Sequence, residues 1–350
     1  MLGPRLDVLY NKKRFLDVFP VVVEELLDTL RAESMPEDIV EWYRRSLEYN
    51  LPGGKLNRGI SVVDTVEILR GKQLEGEEYR KAAILGWSVE LLQACFLVAD
   101  DIMDRSIMRR GHPCWYHVEG VNNIAINDAC MLESGLYQLL KRHFRQESYY
   151  TDLLELFLDT TYKTQMGELI DLVSAPEDRV DLSKFSLERH RLTIVYKKAY
   201  YSSYLPVALG MHFHGISSPE QFTLAQKILI PFGEYMQVQD DYLDCSAPPE
   251  MLGKIGTDIV GNKNTWVVNV ALQHVTPAQR KILDENYGRK DSECEQRVKE
   301  VFAAVGVEAK YRAFERAAYE KIVGLVETIP EQGSELKREV FMAFLSKIFG

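Results

Sequence analysis

Strand-forming alternation is almost absent from this sequence, and so are most marks of a secreted, membrane-spanning or nucleic-acid-binding chain. The five cysteines (95, 114, 130, 245 and 294) are odd in number, scattered, and form no CxxC pair. That pattern gives no zinc site and fits a reducing, cytoplasmic setting. No run of about 18 apolar residues is present, so no membrane span is expected. The N-terminus, Met1-Leu2-Gly3-Pro4-Arg5, begins no secretory apolar region. Cations are in the minority: 42 Lys+Arg stand against 52 Asp+Glu, a formal charge of −10. Nucleic acid and anionic membrane are therefore poor partners, and any anionic ligand must be held by a local basic cluster. No low-complexity linker, repeat or shift in composition marks a domain boundary.

Apolar residues make up 46% of the 350 positions, enough for a sizeable core. They recur at spacings of three and four, as in Phe15, Val18, Phe19, Val22, Val23, Leu26, Leu27 and Leu30, which predicts helices. Short Pro/Gly breaks separate these stretches. Ser218-Pro219-Glu220-Gln221 and Thr276-Pro277-Ala278-Gln279 each offer a capping hydroxyl, proline at the first helical position and glutamine three residues after the cap. The expectation is ten or more helices in one all-α domain spanning residues 1–350.

Two acidic clusters interrupt this apolar pattern. Asp100-Asp101-Ile102-Met103-Asp104 follows the stretch from Gln93, and Asp240-Asp241-Tyr242-Leu243-Asp244 repeats its DDxxD spacing 140 residues later. On a helix, residues four apart lie only about 40° apart around the axis, so the carboxylates share a face and repel. A divalent cation relieves that repulsion, and hard oxygen ligands suit magnesium.

Cations follow each cluster. Arg109-Arg110-Gly111 comes after the first. Lys254, in Gly253-Lys254-Ile255-Gly256-Thr257-Asp258, and Lys263 come after the second. Gly53-Gly54-Lys55-Leu56-Asn57-Arg58-Gly59 is a glycine-flanked basic turn at a helix start, suited to a phosphate, although it does not meet the GxxxxGK[ST] pattern. Tyr196-Lys197-Lys198-Ala199-Tyr200-Tyr201 mixes aromatics with lysines. Gln165, Glu168 and Asp171 form a polar stripe that reads equally well as a solvated face. Carboxylate clusters and local cations in an acidic protein point to a polyphosphate ligand bridged by magnesium.

The motifs GGKxNRG at 53–59, LLQAxFLVADDIMDxSxxRRG at 91–111, GExxQxQDDYLD at 233–244 and GKIGTD at 253–258 resemble those of the trans-isoprenyl diphosphate synthases, and among them the farnesyl diphosphate synthases. The resemblance covers nearly the whole chain. It implies an all-α helical bundle around a central cavity, of the isoprenoid synthase type. It also implies a homodimer and three magnesium ions per active site. The implied reaction is 1′–4 condensation of isopentenyl diphosphate with dimethylallyl and then geranyl diphosphate, giving farnesyl diphosphate by ionisation, condensation and elimination.

By the same resemblance, Asp100, Asp104 and Asp240 would be metal ligands. Lys55, Arg58, Gln93 and Arg110 would hold isopentenyl diphosphate. Arg109, Lys197, Lys198, Gln237, Lys254 and Lys263 would hold the allylic diphosphate. Cys95 and Phe96 would limit chain length. The sequence departs from the family pattern at Cys95 and Met236, where aromatics are usual, and at Lys198, where threonine is usual. Cys95 keeps a geranylgeranyl diphosphate synthase as the alternative. A terpene cyclase is disfavoured by the aspartate-rich second motif and by GGKxNRG. An idle partner subunit is disfavoured by the intact aspartates and arginines.

Overall fold

Helices account for nearly all of the ordered secondary structure in the computed structural model, which describes residues 4–176, 179–248, 256–330 and 333–349. They are α1 (Pro4–Ala32), α2 (Glu37–Asn50), α3 (Asn57–Arg70), α4 (Gly76–Met103), α5 (Ile124–Phe144), α6 (Tyr150–Ser174) and α7 (Leu187–Ile194). They continue with α8 (Leu205–His214), α9 (Pro219–Ser246), α10 (Trp266–Leu272), α11 (Pro277–Asn286), α12 (Ser292–Ala304), α13 (Val307–Glu327) and α14 (Arg338–Phe349). Among the described residues the only strands are β1 (Met108–Arg109) and β2 (His112–Pro113), an antiparallel pair. The periodicity of the sequence thus predicts the fold class correctly. The capping box at Thr276 forms as its sequence requires. At the start of α9 the Ser218 hydroxyl instead donates to Glu220 at 2.6 Å.

The chain divides into two compact units. The first comprises Met1–Asp159, Leu205–Phe222 and Ser334–Val340, and the second comprises Thr160–Tyr204, Thr223–Gly333 and Phe341–Gly350. Two of the division points fall inside α6 and α9. No linker composition marks them, which is why the sequence shows no boundary there.

In the first unit, α4 is the core helix. It is long and apolar enough to cross a membrane, yet 78% of its most apolar window is buried within the fold. Trp87 on α4 stacks on Phe15 with ring centroids 4.6 Å apart and donates its indole N–H to the Phe15 carbonyl at 3.1 Å. Helices α3 and α4 cross backbone to backbone: a Cβ on Gly86 would lie 2.4 Å from the Gly59 carbonyl oxygen. Farther along, the buried carboxylate of Asp128 on α5 accepts the indole N–H of Trp42 at 3.0 Å and that of Trp115 at 2.8 Å. This anchors the chain immediately after β2 to both α2 and α5.

In the second unit, α7 widens into a π-helix over Val195–Tyr204. Such wide turns gather at functional sites. Two glycines let neighbouring helices approach it. A Cβ on Gly167 of α6 would come within 2.0 Å of the Lys197 backbone nitrogen, and one on Gly233 of α9 within 2.5 Å of the Ala199 Cβ. The core beside it includes Tyr242 stacked on Tyr311 at 4.0 Å, with Trp266 packed edge-on at 6.2 Å.

Gly86→Ala is expected to lower the free energy of unfolding by about 1–3 kcal/mol, because two backbones must separate. Gly324→Ala, in the interior of α13 with nothing within 4 Å of the added Cβ, is expected to raise it by about 0.5–1 kcal/mol. Urea unfolding of the two variants measures both.

Candidate active site

Each acidic motif occupies the C-terminal end of a 28-residue helix, α4 or α9. A helix C-terminus is the negative pole of the macrodipole, so carboxylates there are disfavoured twice, by the dipole and by one another. The structure answers in the same way at both ends: it buries the middle aspartate and supplies it with donors from the protein.

On α4 that residue is Asp101, 3% exposed. Arg109 grips it bidentately, with Nε at 2.8 and 2.9 Å and Nη2 at 2.7 Å. The same Nη2 lies 3.3 Å from Asp100. Burial outweighs even this guanidinium and holds the Asp101 carboxyl above its ordinary range. Asp100 and Asp104 are half-buried. They continue a row of partly open α4 residues that includes Gln93, Phe96 and Leu97. Cys95 lies off this row, 8% exposed. Burial pushes its thiol up to about 12, and its charge neighbours are Glu133 and Cys130 of α5.

The two-residue loop of the β1–β2 hairpin is Arg110-Gly111, with φ of +54° and +79°. Two left-handed residues in succession are what a tight hairpin turn demands. Glycine accepts this freely, whereas arginine is strained. The turn aims Arg110 at Gly53-Gly54. Its guanidinium lies where a Gly54 side chain would stand, 2.9 Å from an added Cβ, and its Nη1 donates to the Asn50 carbonyl at 3.1 Å. The basic turn ends at Leu56, a buried residue also in the left-handed region at φ +57°. There α3 begins, and its second residue, Arg58, donates to the Gln93 side chain at 3.2 Å.

Beneath the turn, Glu90 is 3% exposed and accepts the Gly59 N–H at 2.8 Å. Burial pulls the Arg110 guanidinium below its ordinary value, and repulsion from Arg109 and Arg58 adds to this against the attraction of Glu90. Three arginines so placed favour an anion. A cleft of about 310 Å³ opens here, lined by Gly53, Leu97, Asp101, Arg109, Arg110 and others.

On α9 the buried middle residue is Asp241. It accepts the Gln237 amide at 2.7 Å and the Trp266 N–H at 2.8 Å, and meets His190 Nε2 at 2.8 Å. Asp244 is also buried and accepts the Asp258 N–H at 2.9 Å. Asp240 is exposed. In the same unit the Lys197 ammonium sits between Glu168, at 2.9 Å, and Asp171, at 2.7 Å, while Lys263 stands 3.9 Å from Asp171.

Residues 40–305 match the family model described as polyprenyl synthetase, through both units. The chain belongs to the polyprenyl synthetase family. The chain is 59% identical over 349 residues to the farnesyl pyrophosphate synthase of Ganoderma lucidum, covering 97% of each chain. It is 54% identical to that of Saccharomyces cerevisiae over 342 residues, again 97% of each, and 46% identical to that of Gallus gallus over 340 residues, 97% of this chain and 92% of the relative. Its structure is similar to that of T. brucei farnesyl diphosphate synthase in complex with a bisphosphonate. The TM-score is 0.88 at 31% identity, with 96% of this chain and 98% of the other covered. The all-α isoprenoid synthase fold expected from the sequence is thereby established.

In the first unit Arg58 meets Gln93, Arg110 lies over the glycines beside Lys55, and Arg109 contacts both Asp100 and Asp101. Lys55 itself is exposed. Lys197 and Lys263 share Asp171, Gln237 contacts Asp241, and Lys198 is half-buried beside Lys197. Lys254 lies outside the described residues.

Sequence reasoning passed over Glu90 and His190, and saw only a possible solvated stripe in Glu168 and Asp171. A lone acid inside the apolar run of α4 was the available sign of Glu90. Nothing comparable marks His190.

The donors in each unit suit a hard divalent ion: carboxylate oxygens on Asp100 and Asp104 in the first and on Asp240 in the second, none of them fully buried. Among the described residues no three His, Cys, Asp or Glu side chains close into a preformed metal cage. Magnesium commonly takes one or two carboxylates, with waters and phosphate oxygens completing its shell.

A double-mutant cycle with Asp101→Asn and Arg109→Met, read by urea unfolding, is expected to give a coupling of about 1–3 kcal/mol, the scale of a buried charge left without its partner.

Proposed function

We propose that the chain is a magnesium-dependent farnesyl diphosphate synthase. It condenses isopentenyl diphosphate with dimethylallyl diphosphate and then with geranyl diphosphate. The observation that carries this reading is the pair of DDxxD motifs at two helix C-termini, each with its middle aspartate buried and hydrogen-bonded by protein groups and its first aspartate not fully buried. Identities of 54–59% to farnesyl pyrophosphate synthases over 97% of the chain favour this product over geranylgeranyl diphosphate.

Asp100, Asp104 and Asp240 hold the metal, three magnesium ions per active site in this reading. Magnesium, when bound, offsets the diphosphate charge and makes it a better leaving group. Lys55, Arg58, Gln93 and Arg110 bind isopentenyl diphosphate. Arg109, Lys197, Lys198, Gln237, Lys254 and Lys263 bind the allylic diphosphate and stabilise negative charge as its C–O bond breaks. The allylic carbon then bonds to C4 of isopentenyl diphosphate, and a proton leaves to the released diphosphate. Apolar walls keep water from the cationic intermediate. Phe96, on the partly open row below Asp100, limits product length directly. Cys95 faces α5, so its small size acts on length through the packing of that helix.

Residues 1–350 serve as one catalytic domain in this reading, and the enzyme is a cytoplasmic homodimer. Five free cysteines support the location. Leu158, Tyr162, Leu169 and Val173, each 56–65% exposed on α6, form an apolar stripe that supports self-association.

Incubation of the purified chain with magnesium and isopentenyl and dimethylallyl diphosphates, followed by chromatography, is expected to give farnesyl diphosphate as the main product. Asp100→Ala and Asp240→Ala are each expected to lower turnover at least about a hundredfold while leaving the apo protein folded. Near-normal turnover in either variant would remove the metal assignment.

Arg58→Ala is expected to raise the KM for isopentenyl diphosphate more than that for the allylic substrate, and Lys263→Ala to do the reverse. Initial rates with each substrate varied in turn measure the split.

A further inference from the structure

One buried carboxylate joins three segments of the second unit that carry proposed site residues. Asp241, 4% exposed, adjoins Asp240 on α9. Its Oδ2 accepts the N–H of Trp266, which opens α10 three residues after Lys263. The same oxygen lies 2.8 Å from Nε2 of His190, itself 3% exposed on α7. Seven residues beyond His190, in the π-helix that continues α7, stands Lys197. Both Asp241 oxygens already accept N–H groups, Oδ2 from Trp266 and Oδ1 from Gln237, so the carboxylate is the acceptor and Nε2 of His190 is the donor.

We propose that His190 is a positioning residue for the magnesium–diphosphate site of the second acidic motif: its Nε2–H bond to Asp241 fixes α7, and with it Lys197, against Asp240 on α9. The inference rests on the magnesium-dependent reading given above. His190 touches no reacting atom in this account. His190 is buried with its Nε2 on the Asp241 carboxylate, and the directed hydrogen bond is its chemical contribution here. The carboxylate is shared with a backbone N–H, so a shift of α7 also loosens the start of α10. The ligand whose binding depends on His190 is thus an allylic diphosphate with its magnesium, and isopentenyl diphosphate binding is independent of it.

The test compares His190→Gln with His190→Asn. The amide nitrogen of glutamine reaches the place of Nε2, whereas that of asparagine stops near the place of Nδ1 and falls short of Asp241. Thermal melting first establishes folding. Titration calorimetry then measures binding of inorganic diphosphate in excess magnesium, and initial rates give the two substrate KM values.

His190→Asn is expected to weaken diphosphate binding and raise the KM for geranyl diphosphate by about tenfold or more, the scale on which partners that orient metal ligands act. His190→Gln should stay within about threefold of the parent, and the KM for isopentenyl diphosphate within about twofold in both variants. Unaltered diphosphate binding in His190→Asn, equal losses in the two variants, an equal rise in both KM values, or failure of either variant to fold would each overturn the proposal in favour of a purely structural clasp. If the parent protein binds no diphosphate in magnesium, the functional reading fails as well. If it binds and the variants do not separate, only the role of His190 fails.

Discussion

Like charge concentrated at the negative ends of two long helices is the constraint on which both units turn. Asp100, Asp101 and Asp104 close α4, and Asp240, Asp241 and Asp244 lie in the last turns of α9. Neither cluster adds to helix stability, and each is disfavoured by the dipole that it terminates. The protein neutralises part of each cluster internally. Arg109 takes Asp101, while His190, Gln237 and a backbone N–H take Asp241. What remains is a first aspartate that is not fully buried in either motif. A fully self-compensated cluster would leave nothing for a metal, and an uncompensated one would unwind the helix end.

The cationic side is arranged by backbone proximity. Arg110 is held in a left-handed conformation and lies over two glycines that have no side chains to displace it. Lys197 is brought to Glu168 and Asp171 because Gly167 lets α6 touch the π-helix backbone. Glycine at these contacts permits an approach that even alanine would block, so the glycines locate the charges as firmly as any hydrogen bond. Strain at Arg110 and Leu56 persists because the surrounding packing over-determines it. Trp115, tied to Asp128 just beyond β2, is one such restraint on the hairpin.

The fold class was legible because apolar spacing of three and four is a local property, and the DDxxD pair because it needs only a four-residue helical offset. The cations were visible beside the acidic clusters, and only the resemblance proposed a role for each. The sequence did not disclose which aspartate of each triad the protein would satisfy itself, since Arg109 reaches Asp101 through a hairpin and His190 reaches Asp241 across 51 residues. It did not disclose the π-helix, whose wide turn answers to Gly167 and Gly233 on other helices. Nor did it separate Cys95 from Phe96. Adjacent helical positions point about 100° apart, and only packing decides which of them meets α5.

The same logic explains why the Glu168–Asp171 stripe reads ambiguously from sequence. A row of acids on a long helix is ordinarily solvated, and its spacing alone carries no further information. Here the stripe lies beside a lysine whose position is set by a glycine one residue before Glu168. Two carboxylates around one ammonium leave a net negative charge, and Lys263 stands 3.9 Å from Asp171. Opposite charges therefore interleave through this part of the second unit, and in the first unit Arg58 and Arg110 flank Glu90. An acidic protein that binds a polyanion cannot rely on its overall field, which repels that ligand. It must place each cation individually and anchor it by packing, and acids do this at both places: half-buried Glu168 and Asp171 at Lys197, and buried Asp101 at Arg109.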